Sequence, residues 1–180
     1  ARRQRQMCIR DREAILALRA SEGKDDMETP ESFSPKINIP LTVMIPETYV
    51  PDLSLRMGLY RRIAHLENAA EVESMAAELV DRFGPLPPPV EHLLSIVGLK
   101  QLCKMLGIDK LDTGPKGVVL RFHNNQFANP EKLLQYIQDH PDTVRLRADQ
   151  QLVFPLTTPQ KTPVSVENIT FILKKIEGLL

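Results

Sequence analysis

Residues 78–87 read Glu-Leu-Val-Asp-Arg-Phe-Gly-Pro-Leu-Pro and mark the clearest boundary between two predicted helices in the chain. The segment ends one predicted helix, turns at Gly84 and Pro85, and leads into a run of prolines that opens the next helix. At about 100° per residue, the carboxylates and the apolar groups of the preceding helix separate onto opposite sides. The pattern therefore predicts a helix that has one face for a core and one acidic face.

The acidic face is defined by side chains that fall within an arc of about 80°: Glu71, Ser74, Glu78 and Asp81. The apolar stripe on the other side consists of Val72, Met75, Ala76, Leu79 and Phe83. Glu71 also has a local explanation, since Asn68 three residues before it is typical of a capping box. Two interpretations of the acidic face stay open. It is either a solvated surface, paired in part with Arg61 and Arg62 of the preceding helix, or a binding surface.

Elements on both sides of this segment predict an α+β fold in the order β-ααα-ββ-α-ββ-α, with a small mixed sheet packed against helices. The predicted strands are 37–45, 108–113, 118–122, 144–148 and 151–155. The predicted helices are 53–66, 69–83, one from the prolines to 106, one from 130 and one from 166. Asp52, Asn68, Asn129 and Ser165 are the expected caps.

The N-terminal residues 1–36 differ in composition from the rest and predict a poorly ordered tail or linker. Arginines crowd the first dozen residues, and an acidic segment bounded by prolines follows. The folded domain is expected to cover residues 37–180.

Composition bounds the class of protein. The 180 residues hold 23 Lys and Arg against 23 Asp and Glu, which argues against a dedicated nucleic-acid-binding module. No apolar run reaches the length of a membrane span, so no membrane contact is expected. Cys8 and Cys103 are too few and too far apart for a disulfide framework, which favours a reducing, cytoplasmic location.

Candidate chemistry is sparse in the sequence. Gly114-Pro115-Lys116-Gly117 lacks the spacing of a phosphate loop and is interpreted as a tight turn. Cys103 lies among apolar helical residues and is interpreted as a buried, inert thiol. The four histidines show no metal-ligand spacing: His65, His92, His123 and His140. The sequence thus predicts a domain without catalytic residues, cofactor or metal.

Several motifs occur in one order and spacing: Ile45-Pro46, Tyr49–Asp52, Leu59–Ala64, Glu78–Pro87 and Asp112–Gly117. As an ordered set they resemble the C-terminal domain of the bacterial transcription-repair coupling factor, over about residues 36–180. The resemblance marks these residues as the turn motifs of the family: Arg82, Phe83, Gly84, Pro85, Gly114 and Gly117. It also implies that residues 13–23 are a helix and acidic linker from the end of a motor region. Residues 1–12 match nothing expected and are interpreted as an artefact of cloning or assembly.

The resemblance implies a regulatory role. The whole factor would be an ATP- and Mg-dependent double-stranded-DNA translocase that pushes on stalled RNA polymerase and recruits the damage-recognition protein UvrA. Its C-terminal domain would be non-catalytic and would pack on an N-terminal UvrB-like module, masking the UvrA-binding surface. Carried over by motif, Glu78 and Asp81 would face basic residues of that module, with Glu71 on the same face.

The alternative hypothesis is an auxiliary DNA-binding module of the same repair protein. It rests on the parentage in a DNA-repair protein that the resemblance implies, and on six arginines, the first three of which are expected at exposed positions of the first helix: Arg56, Arg61, Arg62, Arg121, Arg145 and Arg147. Residues 37–180 hold 15 basic and 16 acidic side chains, which weighs against it.

Overall fold

A computed structural model describes residues 33–115, 117–155 and 165–180, and this part of the chain forms five helices and five strands. The helices are α1 Leu53–Ala64, α2 Ala69–Phe83, α3 Pro88–Met105, α4 Pro130–Asp139 and α5 Val166–Glu177. The strands are β1 Lys36–Asn38, β2 Ile108–Gly114, β3 Gly117–Phe122, β4 Arg145–Leu146 and β5 Leu152–Pro155. The predicted α+β element order is confirmed. Nearly all of the predicted tail, and the segment 156–164, lie outside the described residues.

The five strands form one mixed sheet in the order β1-β2-β3-β5-β4. β1 is parallel to β2, and the other three pairings are antiparallel. In the β2–β3 hairpin Gly114 pairs with Gly117, so two residues make the turn, as predicted. The register places Leu120 opposite Leu152, and both side chains are buried on the same face of the sheet.

The first strand is much shorter than the predicted 37–45, and that prediction is wrong beyond Asn38. Pro40 has no N–H to donate to a ladder, and the chain leaves the sheet there. By Ile45 it has entered a different core, where the Ile45 N–H donates to the Tyr60 hydroxyl at 2.7 Å. Ile45 therefore belongs to the core of the helical unit and not to the sheet.

The described residues divide into two compact units, and the division falls inside α3 between Gly98 and Leu99. We call Leu41–Gly98 the helical unit and Phe33–Pro40 with Leu99–Leu180 the sheet unit. The sequence had predicted a single domain over residues 37–180 and gave no signal of a division within it.

Each unit buries a core of its own. The helical unit buries Ile45, Val50, Leu59, Tyr60, Ile63, Met75, Leu79, Val90 and Leu94. The core of the sheet unit is larger and includes Leu99, Cys103, Ile108, Leu111, Val118, Leu120, Leu152, Ile169 and Leu173. Continuous apolar burial of this kind is the main favourable contribution to folding in each unit.

Helix starts agree with the predicted caps. Asp52 accepts a hydrogen bond from the Leu55 N–H at 2.7 Å, and Asn68 accepts one from the Glu71 N–H at 2.9 Å. Asn129 and Ser165 accept in the same way at α4 and α5. Each cap satisfies one of the backbone donors that a helix start leaves open.

Two residues of α3 have surroundings that helical periodicity alone does not predict. A close helix crossing would explain a glycine in the middle of a helix, but a Cβ built at Gly98 meets nothing within 4 Å. Met105 lies among apolar residues in the sequence, yet its side chain is exposed. At 100° per residue Met105 points about 160° away from buried Cys103, so it falls on the outer side of the last turn.

Candidate interdomain surface on helix α2

The α2 helix has the predicted division into an inner and an outer face. Met75 and Leu79 are buried in the core of the helical unit, and Val72, Ala76 and Phe83 pack against it. The outer face holds the three carboxylates that the sequence singled out: Glu71, Glu78 and Asp81. They differ from one another in what they contact.

Glu78 is engaged by two arginines of its own unit. Arg62, near the end of α1, donates from Nη1 to Oε1 at 2.7 Å and from Nη2 to Oε2 at 2.6 Å. Arg82, one helical turn after Glu78, donates from Nη1 to Oε1 at 3.0 Å. We call these three side chains the Arg-Glu-Arg cluster. The interpretation that Arg62 pairs with the acidic face is confirmed.

The cluster changes the proton affinity of its members. Hydrogen bonds from Arg62 and Arg82, with a smaller electrostatic contribution from the same two charges, lower the pKa of Glu78 to about 2. The hydrogen bond to Glu78 raises the pKa of Arg62 above its usual value. The Glu78 carboxylate therefore stays ionised at neutral and mildly acidic pH.

Asp81 stands apart from this cluster. Its side chain is exposed on the outer face, and within the described residues no hydrogen bond or ion pair engages its carboxylate. Asp81 follows Glu78 by three residues, which places the two on neighbouring positions of one helix face. It is the one carboxylate of the predicted three that is fully available to a partner.

Glu71 is used at the helix start. Its Oε2 accepts from the Glu67 N–H at 2.7 Å, and its Oε1 accepts from the Asn68 side-chain amide at 2.8 Å. With Asn68 accepting from the Glu71 N–H, these bonds form a reciprocal cap like the one the sequence indicated, except that the backbone donor to Glu71 is Glu67 and not the N-cap residue Asn68.

The part of the surface around Glu78 and Asp81 carries no net charge. Arg62, Glu78, Asp81 and Arg82 contribute two positive and two negative charges, so their sum is zero. The helical pattern of α2 alone could not show this, because Arg62 reaches the face from another helix.

The turn after α2 is held by a residue that sequence reasoning did not single out. The Tyr49 hydroxyl lies 3.0 Å from the Leu79 carbonyl oxygen and 2.9 Å from that of Gly84. Its ring packs against Phe83 at 5.7 Å between centroids. Burial raises the pKa of Tyr49, which keeps the hydroxyl protonated as the donor. The sequence signal that could have identified Tyr49 is its position as the first residue of the ordered motif Tyr49–Asp52.

The predicted turn residues Arg82, Phe83, Gly84 and Pro85 lie at the end of α2 and in the turn that follows it. The Arg82 guanidinium carbon lies 5.1 Å from the centre of the Phe83 ring, and Pro85 follows on the surface. Gly84 has φ 89° and ψ −166°, a combination that side chains other than glycine rarely adopt. In the sheet unit Gly117 has φ 134°.

Three of the six arginines proposed for DNA binding are engaged elsewhere. Arg56 was expected on the surface but is 0% exposed, and it donates to the carbonyl oxygens of Val50 at 2.7 Å and Pro51 at 3.0 Å. That expectation is wrong, because the helix start turns Arg56 back over the loop before it. Arg121 pairs with Asp109 at 2.7 Å, and Arg62 pairs with Glu78.

The other residues weighed for chemistry show no catalytic geometry. Cys103 is buried, and burial raises the pKa of its thiol to about 12. His123 stacks on Phe33 at 4.3 Å, and His92 Nδ1 lies 3.2 Å from the Thr42 carbonyl oxygen. Over the described residues no three His, Cys, Asp or Glu side chains are grouped to hold a metal. None of the described helices has both the length and the apolar character needed to cross a bilayer.

Comparison with solved structures identifies the fold. The chain matches the crystal structure of a C-terminal domain of transcription-repair coupling factor with a TM-score of 0.63 at 18% identity. The match covers 84% of this chain and 97% of that one. In fold, the chain is thus an α+β domain of the kind found at the C-terminus of these factors.

Comparison of sequences gives the family. The family model described as TRCF domain matches residues 39–133. The transcription-repair-coupling factor of Rickettsia prowazekii is 42% identical over 132 residues, which cover 73% of this chain. That of Escherichia coli is 34% identical over 141 residues, or 78% of the chain. The chain belongs to the TRCF domain family, as the ordered motifs had indicated. It spans about 12% of the length of either relative.

Proposed function

We propose that the chain is a non-catalytic regulatory domain of a transcription-repair coupling factor. It latches onto the N-terminal UvrB-like module of the same protein and masks the surface that binds UvrA. The latch yields when the rest of the factor, an ATP- and Mg-dependent double-stranded-DNA translocase of the cytoplasm, engages stalled RNA polymerase.

The observation that best supports the proposal concerns the side chain of Asp81. Asp81 presents an exposed carboxylate beside the Arg-Glu-Arg cluster, and within the described residues nothing pairs with it. Desolvation costs little at such an exposed position, so a basic side chain of a partner gains a charge-assisted hydrogen bond there. Glu78, one turn earlier, offers a second contact on the same face.

The strength of such a contact suits a latch that must open. Moving a two-state equilibrium from 1:99 to 99:1 takes about 5.5 kcal/mol. Exposed ion pairs contribute about 0–1 kcal/mol each, so a few of them with a modest interdomain patch fall in this range.

The test is the affinity of the intact factor for UvrA. Asp81→Asn removes the charge without changing the size of the side chain, and we expect UvrA to bind more tightly because the masking contact is weakened. Glu73→Gln is the matched control, since Glu73 is exposed on the same helix but eight residues before Asp81, about 12 Å away along the helix axis. An Asp81→Asn factor that folds normally and binds UvrA as the wild type does would refute the contact.

The DNA-binding alternative loses support because Arg56 is buried and Arg62 and Arg121 are paired within the chain. Arg61, Arg145 and Arg147 remain exposed. We expect the 180-residue chain to show no submicromolar binding to duplex DNA at physiological salt. Tight binding that weakens steeply with salt would favour the alternative.

A further inference from the structure

In the Arg-Glu-Arg cluster, the two guanidinium groups of Arg62 and Arg82 share the single carboxylate of Glu78. One carboxylate accepts three hydrogen bonds from two guanidinium groups, and these use both of its oxygens. A carboxylate offers about four acceptor positions, so little capacity is left for another donor. A third cation placed here would also be repelled by the two already present.

We propose that Arg62 and Arg82 are an internal counter-latch that withholds Glu78 from a basic partner. For the interdomain latch to close fully, Glu78 exchanges a guanidinium of this domain for a cationic side chain of the partner module. Asp81 makes its contact without such an exchange. The inference rests on the latch proposed above and assigns a regulatory role to two residues on the same surface.

The exposure of the cluster makes this exchange feasible. The side chains of Arg62 and Arg82 are 51% and 42% exposed, and that of Glu78 is 33% exposed. Breaking an exposed pair needs no opening of the core, and the released arginine is hydrated at once. Arg62 comes from α1 and Arg82 from α2, so both return to Glu78 when the partner leaves.

Removing the counter-latch and removing a latch contact should change the affinity of the factor for UvrA in opposite directions. Arg62→Gln in the intact factor should lower its affinity for UvrA about two- to fivefold, because Glu78 becomes available and the closed state is favoured. Asp81→Asn should raise the same affinity. Arg61→Gln is the matched control, since Arg61 is the exposed neighbour of Arg62 and no ion pair engages it within the described residues.

A second variant separates the regulatory role from a structural one. If Arg62 acts through Glu78, Arg62→Gln should have no effect on UvrA affinity in a Glu78→Gln background. Arg62→Lys keeps the charge but cannot bridge both oxygens, and it should give an intermediate affinity. Arg62 as a merely structural residue would lower the unfolding temperature of every variant without this dependence on Glu78.

The outcomes distinguish the two proposals. Unchanged or raised UvrA affinity for Arg62→Gln, while Asp81→Asn still raises it, would overturn the counter-latch and leave the latch standing. Unchanged affinity for both Asp81→Asn and Arg62→Gln would overturn the latch and the counter-latch with it. Lowered affinity for Arg62→Gln that persists without Glu78 would also overturn the counter-latch.

Discussion

Arg62 on α1 and Glu78 on α2 form a two-point ion pair, with Nη1 2.7 Å from Oε1 and Nη2 2.6 Å from Oε2. Sixteen residues separate them in sequence, so the pair links two helices of the helical unit and does not support a single one. A bidentate guanidinium contact fixes both distance and orientation. It also occupies both carboxylate oxygens of Glu78 on the outer face of α2.

The pair should make the stability of the domain depend on acid. The pKa of Glu78 is about 2 in the folded chain and 4.5 ordinarily, so its stabilisation is fully present above about pH 5 and is lost as the pH falls through 2. Because Arg62 and Glu78 are partly exposed, the loss is about 1 kcal/mol or less. Wild type and Glu78→Gln should therefore differ in free energy of unfolding at pH 6 and converge near pH 2.

Urea unfolding of both chains across this pH range measures the effect. Glu73→Gln is the control, since within the described residues no hydrogen bond or ion pair engages the exposed Glu73 carboxylate, and its curve should stay parallel to that of the wild type. A difference between wild type and Glu78→Gln that is the same at pH 6 and pH 2 would contradict the assignment.

Arg56 should contribute more to stability than any arginine on the surface. Its side chain is fully buried and donates to the carbonyl oxygens of Val50 and Pro51. Arg56→Met keeps much of the apolar length but leaves those carbonyls without their donor, at a cost of about 2–4 kcal/mol. Arg61→Met, on the exposed side of the same helix, should change the free energy of unfolding by less than about 0.5 kcal/mol. Equal effects of the two substitutions would rule out this role of Arg56.

The sequence was sufficient for the elements that local chemistry determines. Asp52, Asn68, Asn129 and Ser165 cap helices as expected, because a cap needs only a side-chain oxygen and a backbone N–H three residues away. The first strand could not be bounded in this way. An alternating apolar segment fits a strand or an extended connection equally well. That the chain leaves the sheet core and joins the core around Ile45 depends on tertiary packing, which the local sequence pattern does not show.

The sequence predicted only the part of the candidate surface that depends on local helical geometry. The helical pattern placed Glu78 and Asp81 on the outer face of α2, which the structure confirms. It could not show that Arg62 occupies Glu78, nor that Arg56 turns inward, because both depend on how separate segments pack. Pairing across helices is the information that a one-dimensional pattern lacks.

Gly98 and Gly84 should respond in opposite ways to alanine. A Cβ at either position meets nothing within 4 Å, so space is not the deciding factor. Gly98 lies inside α3, where alanine is favoured by about 1 kcal/mol over glycine. Gly84 has φ 89°, which strains any side chain by about 1–3 kcal/mol. Thermal unfolding should show a higher midpoint for Gly98→Ala and a lower one for Gly84→Ala; a lower midpoint for both would contradict this account of α3.

Gly117 should tolerate no side chain at all. A Cβ there would lie 2.1 Å from the Phe154 carbonyl oxygen, in the adjacent strand β5, and φ is 134°. Gly117→Ala must therefore push β3 and β5 apart where β3 begins and β5 ends, and we expect a loss of more than about 3 kcal/mol or failure to fold. Gly114→Ala at the other end of the turn is the control, because nothing lies within 4 Å of its Cβ. Circular dichroism and thermal unfolding of the two variants test the contrast, and a native-like Gly117→Ala would disprove the close approach of the strands.

Cys103 should be protected from thiol reagents for as long as the sheet unit is folded. Its side chain is 0% exposed in the apolar core, and burial raises its pKa to about 12, so almost no thiolate forms at neutral pH. In a Cys8→Ser background, which leaves one thiol, a disulfide reagent should label Cys103 only as fast as the unit opens. Labelling should become complete in denaturing urea, which serves as the positive control. Rapid labelling of the native chain would instead indicate an accessible, reactive cysteine and would contradict the interpretation of Cys103 as a buried, inert thiol.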